Sequence, residues 1–201
     1  MQKAFFSFTE GQLTFYFDPI YWQVRKYDDH AYFQGFSGVG LKGVDFIGIY
    51  EGRTLILIEV KNYTWRSTPF REKDVRQSLQ VPEQIAAAVR QKMEDTLAGL
   101  HAIGIYYQRK QARSWRWLDR FRKPDLEQEF WQRATNLLDQ QQVYCLLWME
   151  TEATDAAFAK TIHAELDKQL VGGRFPMHFA QKTDYPFKAS WKVDLREGTD
   201  I

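Results

Sequence analysis

Three residues of this chain, Asp45, Glu59 and Lys61, have the types and spacing to bind a hard cation and handle a phosphoryl group. They lie in the stretch GVDFIGIYEGRTLILIEVKNY, residues 43–63. Two strand-like runs, 44–50 and 54–61, flank Glu51-Gly52-Arg53, a compact polar turn with the glycine that hairpin loops need. Pairing Tyr50 with Thr54 across that turn puts Asp45 opposite Glu59. Side chains alternate along a strand, so Leu55, Leu57, Glu59 and Lys61 share one face while Ile56, Ile58 and Val60 share the other. Two carboxylates and an ammonium therefore converge at one end of an apolar hairpin, where unpaired charge is costly to desolvate. An ion pair that merely ends a strand is the simplest account, and such pairs are common and weak. The chemical account is a metal site. Magnesium takes one or two carboxylates with waters and substrate phosphate, and a nearby lysine stabilises phosphoryl charge and helps orient a water.

The order Val44-Asp45, thirteen residues, then Glu59-Val60-Lys61 resembles the PD-(D/E)XK nuclease superfamily, in which the acid lies on one core strand and the E-x-K on the next. Val44 stands where that family usually has proline, and the likeness is specific over residues 40–63 and topological elsewhere. The resemblance implies an α/β protein with a restriction-endonuclease-like mixed sheet and an αβββαβ core flanked by helices. It implies a metal-dependent nuclease hydrolysing DNA phosphodiester bonds, with Mg2+, or Mn2+ in its place, held by Asp45, Glu59 and the backbone carbonyl of Val60. Lys61 would orient the attacking water and steady the transition-state charge. The family's further acid, from a helix preceding these strands, falls on Glu10, Asp28 or Asp29, with Asp29 favoured because it lies just beyond a candidate helix. The alternative is a nuclease-like fold retained as a nucleic-acid or protein binding module, with the trio reduced to a salt bridge.

The elements that must position these residues belong to one domain, since 201 residues divided in two would leave each part small. A hydrophobic content of 44% with 26% charged residues fits a globular protein. No apolar run suits a membrane span, and Met-Gln-Lys-Ala-Phe-Phe lacks the apolar length of a signal peptide, so the expectation is a cytoplasmic protein without a membrane partner. Cys145, the single cysteine, sits in an apolar stretch and reads as core filler. His30, His101, His163 and His178 lack zinc-site spacing. Gly38-x-Gly40 and Gly172-Gly173 lack the strand before and helix after that a phosphate loop needs.

Along the chain, the aromatics of residues 1–42 read as core and strand packing. Asp18-Pro19 resembles a helix start, with Ile20, Val24 and Tyr27 as its stripe and a strand over 22–26 as the rival. Residues 30–36 look strand-like, with 37–40 as a turn. Residues 62–74 look irregular, and from 83 to 99 Ile85, Val89, Met93, Leu97 and Leu100 mark a helix. Gln77, Gln80 and Gln84, near its start, read as surface residues. Helices follow over 125–141 and 154–170, with a buried strand over 143–149 and a late strand near 189–195, at a sheet edge. The core is thus expected with a helical insertion around 101–142 and a C-terminal extension after 150.

Residues 109–123, RKQARSWRWLDRFRK, carry seven basic residues against Asp119, a local charge of +6 in a chain of net +1. Arg109, Lys110, Arg113, Arg116 and Arg120 form a candidate footprint for a nucleic-acid backbone, with Trp115 and Trp117 available for stacking. The competing account pairs them internally, since residues 124–170 hold nine acids and three bases. Cutting both strands of a duplex would favour a homodimer.

Overall fold

The computed structural model describes residues 5–38, 40–63, 81–113, 125–151 and 156–195. The chain opens with the hairpin of β1 (Phe6–Glu10) and β2 (Leu13–Phe17), followed by β3 (Trp22–Lys26), the short helix α1 (Ala31–Ser37), β4 (Phe46–Tyr50) and β5 (Thr54–Asn62). Then come the long helix α2 (Pro82–Arg113), α3 (Leu126–Asp139), β6 (Val143–Glu150), α4 (Ala156–Asp167), β7 (Leu170–Val171), β8 (Phe175–Ala180) and β9 (Trp191–Leu195).

The strands form a mixed six-stranded sheet, ordered β3-β4-β5-β6-β8-β7, and a smaller sheet, ordered β1-β2-β9. In the larger one β3, β4 and β5 make an antiparallel meander, while β6 runs parallel to β5 and β8 parallel to β6. Alternation along β4 and β5 divides the core. Ile47, Ile49, Leu55 and Leu57 face the helices, packing with Val89, Met93 and Trp131, while Phe46, Ile56 and Ile58 face the small sheet and meet Phe15, Phe17 and Trp191. Central β6 is buried on both faces and reads as an unbroken apolar run for that reason, with Cys145 fully buried and its thiol pushed up to about 12 by burial.

The hairpin has the expected register: Tyr50 pairs with Thr54 and Phe46 with Ile58. Its turn holds Glu51 at φ 47° and Gly52 at φ 65°, a conformation that glycine accepts without steric cost. Arg133 of α3 donates to the Gly52 carbonyl and fastens the turn from outside.

Five expectations need correction. Asp18 begins a turn rather than a helix, its Oδ1 accepting the Ile20 N–H and its carbonyl accepting those of Tyr21 and Trp22. Trp22 and Val24 then alternate as buried residues of a strand, because pairing with β4 outweighs the local helix signal. Residues 30–36 are helical: His30 caps α1 by accepting the Tyr32 N–H, and Tyr32, Phe33 and Phe36 form a helical face against the core. Gly99 does not end α2, which runs on to Arg113. The missing side chain there admits Tyr27, whose Oη would lie 2.6 Å from an added Cβ. Among the described residues no helix precedes the meander; the β1-β2 hairpin does, and α1 falls between β3 and β4. The chain after 150 also supplies β8, so it completes the sheet rather than only extending it.

Candidate active site

The backbone ladder between β4 and β5 ends at Phe46 and Ile58, and one step further the Asp45 side chain takes it over. Its Oδ2 accepts the Val60 N–H at 2.6 Å. Asp45's own carbonyl accepts the Tyr27 N–H, the Val44 N–H donates to Thr96 Oγ1, and the Lys42 N–H donates to Asp95 Oδ2. Residues 42–45 are thus pinned between α2 and the end of β3. Asp45 is only 7% exposed. Burial, then the neighbouring charge of Glu59, pushes its carboxyl up to about 7, against the opposing pull of Lys92 and the Val60 N–H.

Glu59 is fully buried, and two lysines grip it. Lys61 Nζ lies 2.6 Å from Oε1; Lys92 Nζ, from α2, lies 2.8 Å from Oε1 and 3.1 Å from Oε2. Both ammonium-bearing side chains remain roughly a quarter exposed, so each lysine bridges the buried acid and the surface.

On the other side of Asp45 lie Glu10, from the end of β1, and Asp28, just after β3. One carboxylate oxygen from each of these three acids lies within 4.8 Å of the others. Lys26 sits beside them, 3.2 Å from Glu10 and 4.0 Å from Asp28. Burial raises the Asp28 carboxyl, and its buried Oδ1 accepts no hydrogen bond among the described residues. Clustered oxygen donors, one of them unsatisfied, suit a hard cation such as Mg2+ or Mn2+. Glu59 fits less readily, since both its oxygens are engaged.

The motif residues therefore meet as the register required, with Asp45 and Glu59 opposed and Lys61 on Glu59. The Val60 carbonyl leaves β5 on the same side as its N–H, toward Asp45. Asp29 is placed differently: its side chain is 70% exposed and contacts Lys26, so Glu10 and Asp28 take the position expected of it. Arg109 is exposed on α2, seventeen positions past Lys92 and so roughly 25 Å further along the axis. Lys110 and Arg113 continue that helix, whereas Arg116, Arg120, Trp115 and Trp117 lie outside the described residues, as do Gln77 and Gln80. Gln84 is exposed on the first turn of α2.

Lys92 is the residue that motif reading missed. A signal for it exists, because Val89, Lys92, Met93, Thr96 and Leu100 fall on one helical face and two of the five are polar. Those two are the residues that hold Glu59 and Val44. No described helix is long and apolar enough to cross a membrane. Comparison with protein-family models, curated proteins and solved structures finds no match to the chain.

Proposed function

We propose that this chain is a metal-dependent nuclease that hydrolyses DNA phosphodiester bonds on a restriction-endonuclease-like core. One observation carries the reading: the opposed carboxylates Asp45 and Glu59 close the open end of the hairpin with Glu10 and Asp28 on one side and Lys61 and Lys92 on the other. An antiparallel meander followed by helices and then a strand parallel to its last member is consistent with that core.

A bound Mg2+ or Mn2+ would supply Lewis-acid polarisation of the phosphoryl oxygen and an acidified water. Asp45, with Glu10 and Asp28, offers the oxygens to hold it, and the Val60 carbonyl and Glu59 adjoin them. Lys61, reaching from buried Glu59 toward solvent, orients the water and offsets charge that develops on the phosphoryl oxygens. The basic residues of 109–123 would supply further phosphate contacts, and a homodimer would present two sites to a duplex.

The direct test is cleavage of plasmid and single-stranded DNA with Mg2+ or Mn2+, comparing the wild type with Asp45→Ala and Lys61→Ala. Activity lost in both variants supports the assignment; metal-dependent cutting that survives both sinks it. A second reading, a nuclease-like fold serving as a binding module, is favoured by the engagement of both Glu59 oxygens by lysines. It entails no heat of Mg2+ binding in isothermal titration.

A further inference from the structure

Lys92 comes from α2 and touches the carboxylate that the E-x-K motif would give to the cation. We propose that Lys92 competes with a divalent cation for Glu59, so that α2 sets the metal affinity of the site; this rests on the metal-dependent reading above.

Glu59 lies on a central strand with no solvent exposure, and both Lys61 and Lys92 pair with its carboxylate. Lys92 donates hydrogen bonds to both Oε1 and Oε2, and Lys61 pairs with Oε1 at 2.6 Å. Departure of Lys61 would therefore leave both oxygens still held by Lys92. Departure of Lys92 removes the hydrogen bond that Oε2 accepts from it. An ammonium and a divalent cation on the same oxygen repel each other, so Glu59 gains a metal only when Lys92 withdraws. That movement is available to it. Its side chain is 27% exposed, and a flexible four-carbon stem can carry the charge to water without displacing the helix.

The helix itself is held in place. Thr96 and Asp95 bond the backbone of Val44 and Lys42, the segment that carries Asp45. Lys92 thus has a fixed base and a mobile head beside a fixed acid. It is a positioning residue: it acts on Glu59, and the effect appears first in cation binding.

The experiment is isothermal titration of the full chain with Mn2+ and with Mg2+, using wild type, Asp45→Ala, Lys92→Met, Lys92→Arg, Glu59→Gln and the Glu59→Gln/Lys92→Met double variant. Lys92→Met should bind Mn2+ on the order of tenfold more tightly, within the range that residues adjoining a metal site are worth. Lys92→Arg should show no gain, and the gain should vanish in the Glu59→Gln background. An unchanged or weaker affinity in Lys92→Met, or a gain that persists without the Glu59 charge, overturns the inference. Wild-type binding that is lost in Asp45→Ala but indifferent to Lys92 leaves the metal-dependent reading standing and removes this one. Absence of binding in every variant removes both. Should Lys92→Met fail to fold, the side-chain NMR signal of Lys92 in the wild type decides. It should shift on Mg2+ addition, and a signal that stays fixed at saturating metal overturns the competition.

Discussion

Asp45 and Glu59 occupy facing positions of one hairpin, yet their surroundings are opposite in kind. Around Asp45 the neighbours are acids, Glu10 and Asp28, together with one N–H from Val60; around Glu59 they are two ammonium groups. Burial, then the charge of Glu59, pushes Asp45 toward holding its proton, while Glu59 is paired with two lysines. Two like side chains a strand apart thus take different tasks: one end of the site is short of positive charge and the other already supplied with it.

The largest break in this comparison would come from stripping Glu59 of both partners. Lys61→Ala/Lys92→Ala should lose about 3–5 kcal/mol in urea denaturation, the usual cost of leaving a buried charge unpaired. Each single variant should lose less, because one lysine remains.

Asp45→Asn tests the other half. In the folded protein the Asp45 carboxyl is raised from 3.8 to about 7, so the folded state holds the proton more tightly than the unfolded chain. Its favourable contribution is complete below pH 4, drains away as pH rises toward 7 and is absent above. Asp45→Asn, which can still accept the Val60 N–H, should therefore be more stable than wild type at pH 8 by up to about 4 kcal/mol. The advantage should shrink to nothing near pH 4, and a pH-independent difference would contradict the assignment.

Thr96→Val leaves the buried Val44 N–H without its acceptor and should cost about 1–3 kcal/mol. Because Val44 precedes Asp45, the same variant should weaken Mn2+ binding in titration. The smallest effect belongs to Asp29→Asn, which removes an exposed contact with Lys26 and should change stability by about 0–1 kcal/mol with Mn2+ affinity unaltered. Asp28→Asn, one residue away, should reduce that affinity measurably.

Much of the hairpin was legible because its information is local. Alternation fixed which residues share a face, the Glu51-Gly52-Arg53 turn fixed the register, and register alone opposed Asp45 to Glu59. Helix α3 was equally plain, with Asp125 capping it by accepting the N–H groups of Glu127 and Gln128, as was the apolar run of β6. The segments over 18–27 and 30–36 were not, since packing overrides the local pattern that each carries. Trp22 and Val24 become a strand by pairing with β4, and residues 31–37 become a helix once Tyr32, Phe33 and Phe36 find a common surface. The choice between Asp28 and Asp29 was hidden for a related reason. Two adjacent acids after a strand point in different directions, and only the packed chain decides which is turned inward.

By itself, then, the sequence determined the motif, its register and the charge of its parts, because strand alternation and a short turn leave little freedom. Tertiary structure decided what surrounds that motif. It brought Glu10 from the first strand and Asp28 from beyond the third to Asp45, and Lys92 from a helix thirty-three positions after Glu59. These approaches depend on how the layers pack, and no local pattern encodes a distance between segments so far apart along the chain.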